Sequence, residues 1–526
     1  MDKNKIIFLL ILLSAIILRI NRLETLPHWF WDEGVNMHIS WNLMEGKLQW
    51  FCLTYPFVPH PPLYFIIGGI LLKIFGNELI VLRSLSVFYS TLTLVLIYLM
   101  TKRIFNKNTA LLSSFIFAIH PFAIFWNRMA FANNQIMFFS ILCLYLFVRY
   151  MDDKKERWFY MLSIFVGLSL TTDILGACTF ISVIILFWFY DREKILKLII
   201  ISSILPIIFV ISMLGIMPDT FIYDLLHHSK RINFLVVLIL PLFVLPFVFL
   251  PHYKKKIVEF CDPIMVEIKA YPEVFYVVIS LIIIFMTSEN FSLNDDLIVE
   301  GLDIFWFGIF RVFLIKEKFK RNILLTFFMP LLILILCLNR ADHMLIPLHP
   351  YLCIFFSILL YKFFDKKKIV TLLVFYPLLI YSYYDVNLYI TKSWLGEEDI
   401  NSKLEVADFI NRNVNISDVV IVDSHMTRFI NCKASVLGQA AAIEGKSVAY
   451  YAKDYKPERF LFNCSYKNAK FIVITNASIE WAMNQSGLRD IVLEIQNWTP
   501  YKIDNYLIFE NPNSPQIGER EPRPEE

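Results

Sequence analysis

Long apolar runs separated by short basic connectors fill the first 390 positions of the chain. Runs with the length of a bilayer crossing lie near 5–20, 84–101, 109–126, 135–150, 158–172, 174–190 and 195–216. Others follow near 233–250, 272–287, 302–315, 322–338, 344–363 and 369–389, which makes thirteen predicted spans. One further run, PPLYFIIGGILLKIFG (61–76), tests the count. If it crosses, TKRIFNKN (101–108) and every later basic loop fall on the outer side. If it lies along the interface, TKRIFNK, MDDKKER, DREKILK, PHYKKK, KEKFKR and DKKK all share the side of the N-terminal lysines. SENFSLNDDLIVEG, which has no lysine or arginine, then falls outside. Basic loops stay cytoplasmic, so the interfacial reading is preferred. It places the N-terminus in the cytoplasm and everything after about 390 outside the cell membrane.

Beyond that point the period changes. DVVIVDSH (418–425) and KFIVIT (470–475) read as short strands, and IVLEIQNWTPYKIDNYLIFE (491–510) reads as a closing hairpin. SKLEVADFINRN (402–413) and SIEWAMNQS (478–486) have helical spacing. The expected architecture is a polytopic α-helical membrane protein of about 13 transmembrane helices with a small extracytoplasmic α/β domain. The boundaries are 1–390 for the transmembrane domain, with a first outer loop at 21–83, then 391–511 for the α/β domain. The last stretch, 512–526, ending GEREPRPEE, is expected to be disordered.

Composition agrees, with hydrophobic residues at 57% and charged residues at 18% of 526 positions. A net charge of +3 argues against a nucleic-acid partner. The basic start and apolar run at 1–20 lack a small-residue cleavage site, and we read them as a retained first span. The eight cysteines show no metal-binding spacing. Cys432 and Cys464 could form a disulfide if their region is extracytoplasmic. Six N-x-S/T sequons, at Asn290, Asn415, Asn463, Asn476, Asn484 and Asn497, fall on the predicted outer side.

This topology gathers polar groups on the outer face. The first loop brings Asp32, Glu33, His60 and Arg83, and FWNRMAFANNQ (125–135) brings Arg128 and Asn133. TTDIL (171–175) brings Asp173, a carboxylate between two apolar runs, expensive unless it meets water or a partner. PDTFIYDLLHHSKRIN (218–233) brings Asp219, Asp224, His227, His228, Lys230 and Arg231. CLNRADHMLIPLHP (337–350) brings Arg340, Asp342, His343 and His349. Charges from five distant segments at one depth suggest a catalytic cavity between helices. Each also has a plainer reading. Asp32 precedes Val35, Ile39 and Leu43, spaced by four, and could be the N-cap of an interfacial helix. Arg128, Lys230 and Arg340 could be headgroup anchors.

The order of these segments resembles the C superfamily of membrane glycosyltransferases, nearest the protein O-mannosyltransferase and lipid A aminoarabinose transferase group. The shared pattern is an Asp-Glu pair opening the first outer loop (WDEGVNMHISWNLMEGK), HPPLYF (60–65), and FG with an arginine before the next span (FGNELIVLR, 75–83). A basic loop KRIFNK (102–107), the turn HPFAIFWNR (120–128) and NRADHMLIPLHP (339–350) follow. The resemblance implies a transferase that moves a sugar from a polyprenyl-phosphate carrier, of dolichyl or undecaprenyl type, to an extracytoplasmic acceptor that is a protein, lipid or glycan. Asp32 matches the family's catalytic aspartate and is the expected base, with Glu33 orienting it or binding the acceptor. Arg340 is the first candidate for the lipid phosphate, ahead of Arg128, His343 and Lys230; His60 completes the substrate-binding set. Two positions depart from the pattern. Asn133 stands where relatives often have an acid, and Asp173 where aminoarabinose transferases have a lysine, so that donor is not carried over. The residue types admit a divalent metal, and no spacing demands one. A transporter or flippase for a lipid-linked or polar substrate is the alternative; it calls for charges at mid-membrane and internal repeats, and neither is present.

Overall fold

The computed structural model describes residues 3–27, 29–55, 60–229, 315, 317–337, 342–366, 397–446, 448 and 455–513. Predicted spans near 233–250, 272–287 and 369–389, all but the last residue of 302–315, the candidates Lys230 and Arg340, and the tail from 514 lie outside the described residues. The chain divides into two compact units. One comprises Met1–Asn21, Val58–Leu63 and Ser86–Thr391; the other comprises Arg22–Phe57, Tyr64–Leu85 and Lys392–Glu526.

The first unit is helical. Its elements include α1 (Lys3–Ile20), and further on it takes in most of a helix that begins in the other unit. To number these in chain order, α2 is Trp31–Met44, α3 is Leu63–Phe75 and α4 is Leu79–Ile104. Then come α5 (Lys107–Ile119), α6 (Pro121–Trp126), α7 (Ala132–Asp153), α8 (Glu156–Leu170), α9 (Gly176–Tyr190), α10 (Ile195–Ile216) and α11 (Pro218–Ser229). Beyond the undescribed stretch lie α12 (Lys318–Cys337) and α13 (His349–Lys366). Among the described residues, α4, α7 and the Arg192–Ile216 stretch ending in α10 are long and apolar enough to cross a membrane. Along α10, Ile200, Ile204, Ile207, Ile208 and Ile211 stay exposed, an apolar surface suited to lipid. The predicted span 109–126 is interrupted. Its cause is Pro121, which lacks a donor and holds the preceding His120 in an extended conformation, so α5 stops and α6 starts afresh. The run at 61–76 forms α3, whose 13 residues reach about 20 Å, less than a bilayer core.

Short turns make α7, α8, α9 and α10 alternate in direction, which sorts their polar residues by end. Basic groups and their acidic partners collect at one end, with ion pairs Arg103–Asp152, Lys194–Glu156 and Lys154–Asp191. The 126–133, 171–175 and 342–349 turns occupy the opposite end. Packing inside the bundle relies on small residues. Gly167 of α8 sits so close to α10 that a Cβ there would stand 2.7 Å from the Ser202 carbonyl oxygen.

The second unit joins the first polar loop to the C-terminal region. A two-stranded ribbon, β1 (Gln49–Trp50) and β2 (Leu53–Thr54), follows α2. The C-terminal part has α14 (Glu397–Asn413), β3 (Val419–Ile421), β4 (Lys433–Ser435), α15 (Leu437–Ile443), β5 (Phe471–Thr475), α16 (Asn476–Met483), α17 (Ser486–Ile495), β6 (Thr499–Ile503) and β7 (Tyr506–Glu510). The sheet order is β4-β3-β5-β7-β6, parallel through β4, β3 and β5 and antiparallel beyond. Alternation along the strands supplies both cores. Ile421, Ile472, Ile474 and Phe509 face α15–α17, while Val420, Phe471, Val473 and Ile508 face α14. The expected hairpin over 491–510 is corrected at its start. Leu488, Ile491, Val492 and Ile495 are spaced for one helical face and bury it, so α17 runs to Ile495 and the hairpin begins at Thr499. Its two-residue turn uses Asp504 at φ 47°, a conformation that aspartate tolerates. The expected Cys432–Cys464 pair is also corrected. Cys432 packs on the α14 face of the sheet, whereas Cys464 shares a separate cluster with Cys52.

The close crossing of α8 and α10 predicts that Gly167→Leu will destabilise the bundle, since the added side chain meets backbone and cannot be relieved by a rotamer change. A loss of roughly 1–3 kcal/mol is expected, read as a lower melting midpoint in detergent, with Ser202→Ala close to neutral.

Candidate active site

The segment WFWDEG sits at the start of α2. The helix N-cap is Phe30, in extended conformation, so Asp32 and Glu33 are the second and third helical residues. Asp32 is therefore not the N-cap. The helix start is closed from within its first turn by Glu33, whose Oε2 accepts the backbone N–H of the N-cap Phe30 at 3.1 Å. Glu33 is fully buried and paired with Arg83, equally buried at the start of α4. Arg83 Nε donates to Oε1 at 2.9 Å and a terminal nitrogen donates to Oε2 at 2.7 Å, a bidentate grip. The other terminal nitrogen donates to the Leu23 carbonyl at 3.0 Å.

The far C-terminal segment 423–429 packs on the same helix. Ser424 Oγ donates to the Trp31 carbonyl at 3.2 Å, and the ring of Trp29 stacks on Phe429 at 4.9 Å. Gly34 faces His425 so closely that a Cβ would lie 2.1 Å from its Cα. Arg428 lies over the Trp41 ring, 4.1 Å from its centre, and donates to Asn77 Oδ1 at 3.1 Å. One turn further along α2, His38 Nε2 accepts from the Phe51 backbone N–H at 3.2 Å and contacts Asn42 Nδ2 at 2.8 Å. With Nε2 accepting, the ring proton sits on Nδ1, 3.4 Å from Thr427 Oγ1. Burial, then the nearby cations Arg428 and Lys47, push His38 down to about 3, so it is neutral and structural.

Asp32 is half-buried. Burial, and then the adjacent Glu33 charge, raise it from 3.8 to about 6. A carboxylate tuned this way is still ionised at neutral pH and is a stronger base than an ordinary aspartate. Of the two adjacent acids, Glu33 is buried in an ion pair and Asp32 stays half-exposed.

The remaining candidates belong to the helical unit. His343, in the turn before α13, stacks on Phe131 at 4.8 Å, and its pKa falls to about 4 through burial and the neighbouring His60. His60 and Leu63 share a short segment whose Leu63 N–H donates to the Thr171 carbonyl at 2.9 Å, two residues from Asp173. Asp173 accepts the Leu175 N–H at 2.9 Å and is raised to about 6 by burial. Asn133 is buried at the start of α7. The fold thus brings His60, His343 and the 126–133 and 171–175 turns to one end of the bundle. Arg128 is fully buried, and its terminal nitrogens donate to the Leu18 and Asn21 carbonyls, which ties α1 to the turn after α6. Asp342 begins the 3-10 turn Asp342–Leu345 that carries His343, and Asp224 is buried on α11. Among the described residues, no three His, Cys, Asp or Glu side chains are placed to hold a metal ion.

Arg83 was legible only as an arginine before a span, not as the partner of Glu33. Nothing local announces a pair 50 residues apart. Gly34 and His425 were likewise silent in the sequence.

The arrangement defines a class of fold first: a largely helical chain with helices long and apolar enough to cross a membrane, sharing its fold with solved structures of ArnT and of an archaeal oligosaccharyltransferase. ArnT from Cupriavidus metallidurans bound to undecaprenyl phosphate superposes with a TM-score of 0.61 at 11% identity, over 97% of this chain and 99% of that one. The Archaeoglobus fulgidus oligosaccharyltransferase complex with Zn and sulfate superposes with a TM-score of 0.56 at 16% identity, over 96% of this chain and 73% of that one. Within that class, residues 59–217 match the family model of dolichyl-phosphate-mannose-protein mannosyltransferase. This segment contains His60, Arg83, Arg128, Asn133 and Asp173 and leaves Asp32 and Glu33 ahead of it. An uncharacterized protein of Aquifex aeolicus is 31% identical over 169 residues; the match spans about a third of that relative, 34% of its length and 31% of this chain.

Because both partners are fully buried, Glu33→Gln and Arg83→Met each leave an uncompensated charge or donor. Each is expected to cost roughly 3–5 kcal/mol, and the double replacement less than the sum. A double-mutant cycle on thermal unfolding measures the coupling.

Proposed function

We propose that this protein is an integral membrane glycosyltransferase that moves a sugar from a polyprenyl-phosphate carrier to an acceptor hydroxyl on the extracytoplasmic side. The observation that carries the reading is Asp32: a half-buried carboxylate raised to about 6, in the first turn of a helix anchored by a buried ion pair. The fold shared with ArnT bound to undecaprenyl phosphate and with AglB in complex with a dolichol-phosphate supports a lipid-linked donor.

In this reading Asp32 takes the proton of the acceptor hydroxyl as its oxygen attacks the anomeric carbon. The bond from that carbon to the phosphate oxygen breaks, and the polyprenyl phosphate departs with the electron pair. The leaving phosphate needs positive charge, and Arg340 is assigned to it, since a guanidinium can grip two oxygens. Lys230 is assigned a lesser share. Glu33 acts as a positioning residue through Arg83 and the helix N-terminus, and has no direct role toward the acceptor. Arg128 ties backbone segments together, while His60, His343, Asn133 and Asp173 line the sugar or carrier. Asn133 and Asp173, which depart from the relatives' pattern, are where the identity of the sugar is set. The donor sugar is a hexose or pentose.

The test is transfer from a panel of labelled polyprenyl-phosphate sugars. Asp32→Asn is expected to lower kcat by roughly 10²–10⁴ with insertion and melting preserved; full activity would remove Asp32 from its role. The sign of the pH dependence follows from the raised pKa. The base form is lost as pH falls through about 6, so kcat/KM should drop tenfold per pH unit below 6 and level off above it. Stability should run the other way. Between pH 3.8 and about 6 the folded state holds a proton on Asp32 that the unfolded chain has lost, so relative to Asp32→Asn the wild type should gain stability as pH falls through this window and lose it as pH rises.

A further inference from the structure

Cys52 and Cys464 are 412 positions apart, and their sulfurs touch. The Sγ–Sγ separation is 3.0 Å, and both side chains are fully buried. The contact sits inside a built junction. Cys52 lies in the two-residue turn of the β1–β2 ribbon, and its carbonyl accepts the Leu461 N–H at 2.7 Å. Leu53 forms an antiparallel bridge with Phe460, which aligns the two cysteine-bearing segments. Gln439 clamps the ribbon: Oε1 accepts the Cys52 N–H at 3.0 Å, and Nε2 donates to the Trp50 carbonyl at 3.2 Å. Ser435 Oγ donates to Cys52 Sγ at 3.2 Å. Trp50, Ala442, Phe460 and Phe462 enclose the pair. Cys432, half-buried against the α14 face of the sheet, belongs to another cluster.

We infer that Cys52 and Cys464 form a disulfide that staples the first polar loop to the C-terminal sheet. The inference rests on the outer placement of this unit given under Proposed function, since such bonds persist in oxidising compartments. Of the two thiols, Cys464 is the better nucleophile. Hydrogen bonds from Cys52 and Ser435 hold its pKa below the usual thiol value, whereas burial raises that of Cys52. The oxidant is a disulfide, of a small thiol or of a thiol oxidoreductase. The Cys464 thiolate attacks it, releases one thiol and forms a mixed disulfide. Cys52 then loses its proton and attacks the Cys464 sulfur, expelling the second thiol. Two protons and two electrons leave the pair, and the oxidant is reduced to two thiols. Both sulfurs are inaccessible once packed, so the bond forms as the ribbon docks during folding. The staple holds the same loop that carries Asp32 and Glu33.

The test denatures membranes of the full-length protein directly in N-ethylmaleimide, digests them without reductant and reads the peptides by mass spectrometry. A joined Cys52–Cys464 peptide pair, retained in Cys432→Ser, is the expected result; alkylation of both cysteines overturns the bond. In that event, detergent-solubilised protein treated with diamide separates the causes. Joining only there means the sulfurs adjoin but the native side is reducing, which also counts against the outer placement. No joining even there means the sulfurs do not adjoin, and leaves the transferase reading untouched. Cys52→Ser, Cys464→Ser and the double variant should each melt lower than wild type by roughly the same 5–15 °C. Midpoints equal to wild type would overturn the stapling role.

Discussion

The buried pair of Glu33 and Arg83 is the interaction on which the candidate site depends. An ionised carboxylate with no solvent exposure cannot persist alone, and Arg83 meets it with two parallel hydrogen bonds. The same carboxylate also accepts the N-cap backbone proton and so fixes where α2 begins. One side chain therefore neutralises charge, closes the helix start and ties α2 to the beginning of α4. Asp32 is the neighbour of that anchor. Its position follows from the helix geometry, and its raised pKa follows from burial and from the charge of Glu33. Adjacent acids that both faced the same water would compete for one counterion. Here the competition is resolved by burying one and leaving the other half-exposed.

A second restraint comes from the opposite end of the chain. Segment 423–429 meets α2 through a hydroxyl, a stacked ring, an arginine over an indole and the close approach at Gly34. The close approach explains the glycine after the acidic pair, since any side chain there would collide with the His425 backbone. It also explains why the first polar loop and the C-terminal sheet form one compact unit although some 340 residues separate them in sequence. His38 extends the contact by accepting from the β-ribbon while its other nitrogen faces Thr427. Its depressed pKa and full set of neighbours make this histidine part of the frame.

Periodicity made much of the fold legible. Helices appear where runs such as 135–150 and 195–216 predict them, and β3 and β5 fall within DVVIVDSH and KFIVIT, whereas β4 at 433–435 was not foreseen. Local chemistry was misjudged where two signals overlapped. The apolar run across 109–126 hid the break that Pro121 imposes, and the alternation in the hairpin over 491–510 masked the helical face of Leu488, Ile491, Val492 and Ile495. At the candidate site, the acidic pair was visible but its division of labour was not. That division depends on Arg83, 50 residues away, and on His425, almost 400 away, and no local pattern encodes such distances. The same limit made Cys432 look like the partner of Cys464, because proximity in sequence stood in for proximity in space.

Under the proposed function, desolvation also gives the chemistry a physical reason to sit beside a membrane. A polyprenyl carrier keeps its phosphate at the boundary of the hydrocarbon, where water is depleted and charge is costly. In such a place a base is strengthened by the same burial that would destabilise an unneeded carboxylate. For Asp32, burial is the larger cause of the raised pKa and the adjacent Glu33 charge the smaller. Arg83 holds Glu33 with two parallel hydrogen bonds, so the ion pair fixes where that neighbouring charge sits as well as where α2 begins. Removing Glu33 would therefore disturb the position of Asp32 and the charge beside it together.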